Sequence, residues 1–222
     1  LRSVLEVVYL VFNEGYAASH GEDWMRPALC EEALRLGRVL AALLPASAPV
    51  LGLLALMELQ ASRMGARTDA QGAAVLLMEQ DRSRWDWLQI GRGQALLEKA
   101  LALGGGDDAY VLQAAIAACH ARARRADRTD WARIAQLYAR LARVMPSPVV
   151  ELNRAVAVAR AQGPQAAWPL LEALQQDGRL DDYAPLQAVR GDLLEHLGRR
   201  DEARSAFERA AELSGNARER QA

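Results

Sequence analysis

Glycine and proline residues divide this chain into segments of helical length, and this spacing restricts the fold more than any other feature. The segments are rich in Ala, Leu, Arg, Glu and Gln, which favour helices, whereas β-branched and aromatic residues are sparse. No alternation of apolar and polar residues lasts long enough for a half-buried strand. The sequence therefore predicts an all-α protein of about ten helices.

The breakers also place the helices and a domain boundary. Four helices are expected in the first half, at about residues 2–13, 25–44, 49–64 and 86–103. Six more are expected in the second half, at about residues 108–125, 130–145, 148–162, 164–177, 183–197 and 201–213. Gly104, Gly105 and Gly106 separate the two sets, and we interpret this triplet as a flexible boundary. The predicted domains are an N-terminal helical region at 1–103, helical repeats at 107–215 and a tail at 216–222.

Small and large apolar residues recur with a fixed spacing in the last two predicted hairpins. The spacings are +12, +4 and +3, displaced by 36 residues, in the sets Ala155, Ala167, Leu171, Leu174 and Gly191, Ala203, Phe207, Ala210. A small residue lets two helices cross closely and a large one packs on the next repeat, as in tetratricopeptide (TPR) repeats. We therefore predict stacked antiparallel helical hairpins that form a TPR-like right-handed solenoid in the C-terminal half. A generic array of helical hairpins is the alternative, and Pro169 predicts a kink in its helix.

The charge pattern does not favour nucleic-acid binding. The chain has 27 basic and 28 acidic residues, interspersed along its length, and a net charge of -1. Binding to nucleic acid requires a cluster of basic side chains that neutralises several phosphates. The densest basic stretch, at 121–128, is interpreted as a solvated helix end in preference to a phosphate site, because Arg near a helix C-terminus interacts favourably with the helix dipole. We expect no direct nucleic-acid binding by this chain.

The sequence offers no pattern for a metal, a cofactor or a catalytic centre. Cys30 and Cys119 lie outside any CxxC pair, and the three histidines, His20, His120 and His196, are far apart. No Walker loop, GxGxxG or GxSxG motif occurs. We therefore expect no cofactor, no small-molecule substrate and no enzymatic activity.

The cellular setting follows from cysteine content and hydropathy. Two cysteines are too few for a disulfide framework, and no apolar run reaches the roughly 18 residues needed to cross a bilayer. No export signal is visible at the N-terminus. We expect a cytoplasmic location without membrane contact. Because Leu1 stands inside a predicted helix and is not an initiator Met, we also expect that the chain is a piece of a longer protein.

The first polar motif is Asn13-Glu14-Gly15-Tyr16, which directly follows the apolar run VLEVVYLVF. The aromatic residues of this region recur at helical spacing and predict a core stripe. A carboxylate beside such a stripe must reach water or find a partner. The favoured interpretation is a helix C-terminus, with Gly15 in the left-handed conformation and Glu14 solvated.

The second polar motif, EQDRSRW, contains Gln80, Asp81, Arg82, Arg84 and Trp85. Its acids and bases predict an ion-paired network that fixes a junction between helical layers. The alternative is a surface that binds a partner through arginine and tryptophan, which are enriched at binding hot spots. The network is favoured, and the sequence alone does not decide between the two.

Asn153 and Arg154 lie on the first helix of a predicted repeat, where peptide-binding TPR domains place an asparagine that holds a ligand carboxylate. The corresponding position one repeat later is Val189, where such a clamp would need a base. A carboxylate clamp is therefore not expected. We predict instead that Asn153 hydrogen-bonds a neighbouring helix.

Six segments of the chain together resemble one family. They are VLEVVYLVFNEGYAAS, LCEEALRLGRVLAALLP, VLGLLALMELQASR, LLMEQDRSRWD, LQAAIAACHA and PSPVVELNRAVAVA. The chain resembles, over nearly its whole length, the C-terminal extension of those extracytoplasmic-function RNA polymerase sigma factors that carry a TPR-containing tail. The NEGY and QDRSRW strings are the specific part of the resemblance, because helix periodicity does not require them.

This resemblance implies a longer protein whose preceding domains bind promoter elements and core polymerase. It implies a regulatory or assembly role for the tail, through contact with the sigma domains of the same polypeptide, with RNA polymerase core or with a regulatory protein. The first apolar helix would anchor the tail, and we hypothesise that Asn13, Glu14 and Tyr16 form one polar junction with the second motif, through Asp81, Arg82 and Arg84.

Two other functions are kept as alternatives. A free-standing TPR-like scaffold would bind an apolar helix or peptide of a partner protein, because the first-helix faces are small and apolar. An all-helical enzyme would have to use Glu14, Glu79 or Asp81, and it is the weaker alternative.

Overall fold

The computed structural model describes residues 1–17 and 25–214, and over these residues the chain is all-α, as predicted, with no β-strand. Ten α-helices occur in the described residues: α1 Arg2–Tyr16, α2 Pro27–Leu43, α3 Ala48–Ala61, α4 Trp87–Ala102, α5 Ala109–Arg122, α6 Trp131–Val144, α7 Pro148–Gln162, α8 Pro164–Asp177, α9 Ala184–His196 and α10 Arg200–Leu213. Short 3-10 helices occur at Met64–Ala66, Arg82–Arg84, Gly105–Asp107 and Ala126–Arg128.

Most of the described helices begin where the sequence supplies a side-chain acceptor or a proline; α1 and α10 have neither. Asp86, Asp108 and Asp130 precede α4, α5 and α6, and each side chain accepts a hydrogen bond from a backbone N–H of the first turn. Pro27 and Pro164 occupy the first position of α2 and α8, where a missing N–H costs nothing.

Helix α3 forms the centre of the N-terminal unit. Eleven of its 14 residues are buried, because the helix is apolar on every side. Helices α1, α2, α4 and α5 all pack against it. Phe12 of α1, Leu97 of α4 and Val111 of α5 belong to the core clusters that surround it.

The chain divides into two compact units, Leu1–Thr129 and Asp130–Ala222. The boundary therefore lies after Thr129 and not at the glycine triplet, where we predicted it. Gly105 is buried, and a Cβ atom built on it would lie 2.7 Å from the Cβ of Ala48. The triplet is therefore a packed turn within the N-terminal unit. Helix α5, which we assigned to the repeats, packs on α3 and α4 because its apolar side chains complete that core. The predicted tail at 216–222 lies outside the described residues.

The C-terminal unit packs its helices consecutively, α6 on α7, α7 on α8, α8 on α9 and α9 on α10, which is compatible with a helical-repeat solenoid. Ala155, Ala167 and Leu171 are fully buried, as their repeat positions predict. Gly191 lies against the ring of Phe207 in the same hairpin, which is consistent with a small residue at a close helix crossing. The expected packing of Phe207 on a following repeat stays a prediction, and its side chain is 41% exposed. Helix α8 is continuous through Pro169, and the predicted kink there stays a prediction.

Candidate functional site

The predicted helix break at the first motif is wrong. Helix α1 continues to Tyr16, and Gly15 is not among the glycines with a positive φ. A Cβ atom on Gly15 would lie 2.6 Å from the backbone nitrogen of Cys30 and 2.9 Å from the carbonyl oxygen of Arg26. The Gly15 carbonyl also accepts a 2.8 Å hydrogen bond from the Arg26 N–H. Glycine is therefore needed here for the close approach of α2, not for a left-handed turn.

The side chains of the first motif connect α1 to its neighbours. Glu14 forms a 3.0 Å ion pair with Arg26, so it is paired, although we expected it to be solvated. Asn13 hydrogen-bonds Tyr9, and burial raises the pKa of the Tyr9 phenol. The Tyr9 hydroxyl in turn donates to Gln113 of α5 over 3.3 Å. The motif thus links α1 to α2 and α5.

Tyr16 holds the chain segment that follows α3. The guanidinium carbon of Arg67 lies 3.6 Å from the Tyr16 ring centroid, and Arg67 Nη1 donates to the Tyr16 carbonyl. Burial lowers the pKa of Arg67. The Tyr16 ring also stacks on Phe12 with 5.7 Å between centroids. Tyr16 therefore joins the end of α1 to the segment at 62–67.

Arg82 is the buried centre of the second motif. Only 5% of the residue is exposed, and its Nη1 atom donates to the carbonyl oxygens of His120 at 2.9 Å and Ala123 at 2.5 Å. These carbonyls stand at the C-terminus of α5, where the helix dipole favours a cation. The guanidinium also lies 4.7 Å from the Trp85 ring centroid. Burial, with the nearby charge of Arg63, lowers the pKa of Arg82.

The remaining residues of this motif are partly buried and partly exposed. Gln80 and Trp85 are buried, and the Gln80 amide donates to the Val75 carbonyl at 3.1 Å. Asp81 is exposed and accepts bonds from the hydroxyl and the N–H of Ser83, at 2.7 and 2.9 Å, which lower its pKa. Arg84 is also exposed. The buried side chains of the motif, Gln80, Arg82 and Trp85, pack within the N-terminal unit, whereas Asp81 and Arg84 face solvent.

Both motifs attach to the segment at 62–67. Tyr16 binds Arg67, and a Cβ atom built on Gly65 would lie 3.6 Å from the carbonyl oxygen of Arg84 in the second motif. Directly after that motif, the Asp86 N–H donates to the Ser62 carbonyl over 2.8 Å. Arg63 lies between them: its guanidinium is 6.0 Å from the Tyr16 ring centroid and its charge lowers the pKa of Arg82. Direct contact between the two motifs stays a prediction, and the contacts given by the structure pass through this segment.

Asn153 and Arg154 lie on α7, in the C-terminal unit. Asn153 is exposed, and its expected bond to a neighbouring helix stays a prediction. Arg154 forms a 3.1 Å ion pair with Glu151, one turn earlier on the same helix. Such a pair on one helix contributes only about 0.2–0.5 kcal/mol to helix stability.

Sequence reasoning missed a buried carboxylate. Glu58 of α3 is 1% exposed and forms ion pairs with Arg38 of α2 at 2.8 Å and with Arg92 of α4 at 3.6 Å. A buried acid needs such partners to remain charged. In the sequence, Glu58 is recognisable as a single acid in the apolar run VLGLLALMELQ. Its partner arginines lie on other helices, so the sequence spacing between them and Glu58 does not indicate the pairing.

A second missed feature is the outer face of α1, which we define as Val4, Val7 and Leu10. These side chains are 48%, 59% and 65% exposed. The inner face of the same helix is buried, through residues such as Leu5 and Phe12. Helix α1 is therefore apolar on two faces, and its own unit covers one of them.

A third missed feature is a cleft on the N-terminal unit, which we call the arginine cleft. It has a volume of about 580 Å³ and lies between residues 78–83 and the turn after α5. Its lining residues are Met78, Gln80, Asp81, Arg82, Ser83, Arg124, Arg125, Ala126 and Asp127. The second motif and the basic stretch at 121–128, which we treated separately, thus meet at one surface.

In residues 1–17 and 25–214, no group of three or more His, Cys, Asp or Glu side chains is placed to hold a metal ion. None of the helices within these ranges combines the length and the hydropathy required to span a bilayer.

Comparison with known proteins gives a family match and a relative. Residues 1–101 match the model of a family described as a family of unknown function (DUF6596). Uncharacterized protein R00370 of Rhizobium meliloti (strain 1021) is 49% identical over 219 residues, which are 99% of this chain and 51% of that protein. The chain therefore spans about half the length of this curated relative. No solved structure matches it. The family match ends within α4, so it includes both polar motifs.

Proposed function

We propose that the chain is a non-catalytic regulatory and protein-interaction extension of an extracytoplasmic-function sigma factor, and that it acts in the cytoplasm. The longer protein would direct RNA polymerase to promoters through its other domains. The resemblance of the NEGY and QDRSRW segments to such extensions supports this assignment. The structural observation that carries it is the exposed outer face of α1.

The outer face has the character of an interaction surface. A surface helix normally turns its polar residues to water, because each exposed apolar side chain costs free energy. The neighbouring exposed side chains of Val4, Val7 and Leu10 depart from this pattern. The patch is bordered by polar side chains, since Arg2 and Glu6 form an exposed 2.9 Å ion pair on the same helix. An apolar centre with a polar rim is the usual arrangement of a protein interface.

The occupant that we propose is the sigma-domain region of the same polypeptide. The curated relative continues for about as many residues as it shares with this chain, so it has room for such domains. Three apolar side chains make too small a surface for a stable complex of separate proteins. A tethered domain has a high effective concentration, so a small surface suffices for it.

Several buried groups support a non-catalytic role. Burial raises the pKa of the Cys30 thiol to about 11, so the reactive thiolate is scarce at neutral pH. Burial and the nearby charges of Arg63 and Arg82 lower the pKa of His120 to about 4. Glu58 is held by two arginines. These three groups are buried within the fold. Because acidic and basic residues are interspersed along this chain, promoter recognition would be carried out by the other domains of the longer protein.

Transcription by the full-length factor tests this proposal. We would measure transcription from a cognate promoter with the wild type, the Val4→Glu/Val7→Glu variant and, as a matched control, Leu88→Glu, which changes a side chain that is 79% exposed on α4. The double variant should change transcription roughly fivefold or more, at the lower end of usual coupling between sites, while the control does not. Equal transcription by all three proteins would contradict the proposal.

A further inference from the structure

The arginine cleft has the dimensions of a small-molecule site. Its volume of about 580 Å³ lies within the range of roughly 300–1,000 Å³ that is typical of ligand pockets. One wall is the segment at 78–83 and the other is the turn after α5. Because both walls belong to the N-terminal unit, the cleft is complete within that unit.

The lining of the cleft contains a buried cation without an acidic partner. Arg82 Nη1 donates to two carbonyl oxygens, and Nη2 donates to the Thr129 hydroxyl over 3.4 Å. Within the described residues, its Nε atom has no hydrogen-bond partner and no carboxylate forms an ion pair with it. Gln80, which is 8% exposed, likewise has an Oε1 atom without a partner in that part of the chain. Buried polar groups are nearly always satisfied, and buried cations are usually paired with an anion.

Two exposed arginines, Arg124 and Arg125, also line the cleft. Arg124 is exposed and lies 5.0 Å from the Trp87 ring centroid. Arg125 is exposed and forms a 2.9 Å ion pair with Asp127, a surface contact of low strength that a ligand can replace. The cleft contains three arginines and two aspartates, a balance of one positive charge. Both carboxylates already accept hydrogen bonds, Asp81 from Ser83 and Asp127 from Arg125.

We propose that the arginine cleft binds a small phosphate-bearing ligand. Arg124 and Arg125 would bind the phosphate oxygens through their planar guanidinium groups, whose geometry suits phosphate. The buried Arg82 would add positive charge. The three arginines lie in one shallow, solvent-open cleft, and this short basic surface favours a small molecule over nucleic acid, which would need a longer basic track. This inference does not depend on the proposed role in transcription.

Titration of the whole chain with inorganic pyrophosphate tests the inference. Calorimetry at constant ionic strength, with sodium chloride as the balancing salt, should show saturable binding of one pyrophosphate per chain. The Arg124→Gln/Arg125→Gln variant should bind at least roughly tenfold more weakly, since it loses two charge-assisted contacts. The control is Arg179→Gln, which breaks a comparable exposed pair with Asp177 at 2.7 Å and should bind as the wild type does.

Three results would overturn the inference. They are the absence of saturable binding, equal weakening by the control variant, and binding of sulfate as tight as that of pyrophosphate, which would indicate a non-selective anion contact. Thermal unfolding checks that the double variant remains folded, and this is expected because both arginines are exposed.

Discussion

Gly15 lies where the first turn of α2 crosses α1, and its missing side chain sets the distance between the two helices. Its neighbours are backbone atoms of Cys30 and Arg26, which cannot move aside as a flexible side chain can. Gly91, on α4, is also helical but has no atom within 4 Å of a Cβ built on it. In the sequence each glycine stands beside a charged residue, Glu14 or Arg92, and only the tertiary structure distinguishes the required glycine from the replaceable one.

Replacing these two glycines by alanine should have opposite effects on stability. Gly15→Ala should lower the free energy of unfolding by roughly 2–3 kcal/mol, because the added Cβ clashes with backbone. Gly91→Ala should raise it by about 0.5–1 kcal/mol, because alanine favours the helix. Urea denaturation of the whole chain measures both. A Gly15→Ala protein as stable as the wild type would show that the close approach of α1 and α2 is not required.

At the scale of the helices, local sequence signals placed nearly every element. Aspartate caps and first-turn prolines act within a few residues, so the bounds of α4, α5 and α8 follow from them. The end of α1 and the domain boundary were wrong, because both depend on which distant helix packs against a glycine. The partners of Glu58 and Arg82 stand on other helices, so no local pattern contains them.

The α9–α10 pair allows a test of the repeat spacing. A Cβ on Gly191 would lie 2.5 Å from the Cε1 atom of Phe207, whose side chain is partly exposed. Gly191→Ala should therefore destabilise the wild type by about 1 kcal/mol. In a Phe207→Ala background the same change should stabilise by about 0.5–1 kcal/mol, since only helix propensity remains. A double-mutant cycle from urea denaturation measures this reversal of sign, and the same effect in both backgrounds would show that the pair is uncoupled.

At the scale of the whole molecule, the polar motifs and the exposed surfaces have different tasks. The two motifs, which looked most like a site in the sequence, mainly hold the N-terminal unit together. Glu14 pairs with Arg26, Tyr16 binds Arg67 in the segment at 62–67, and Arg82 binds the C-terminus of α5. The outer face of α1 and the arginine cleft remain open to other molecules. The first is apolar and suits a protein, whereas the second is positively charged and suits an anion. The proposed regulatory role would need both a contact with a target and a response to a signal, and the two proposals assign one surface to each.

The central claim is that the outer face of α1 docks on another part of the longer protein, and the labelling rate of one introduced thiol tests it most directly. Cys30 and Cys119 are 0% and 9% exposed, so both should react slowly with a maleimide. In a Val7→Cys variant of this chain alone, the maleimide should therefore react rapidly, and mainly with the thiol at position 7. In the full-length protein the same thiol should label at least roughly tenfold more slowly, because docking buries it. Equal labelling rates in the chain and in the full-length protein would contradict the claim.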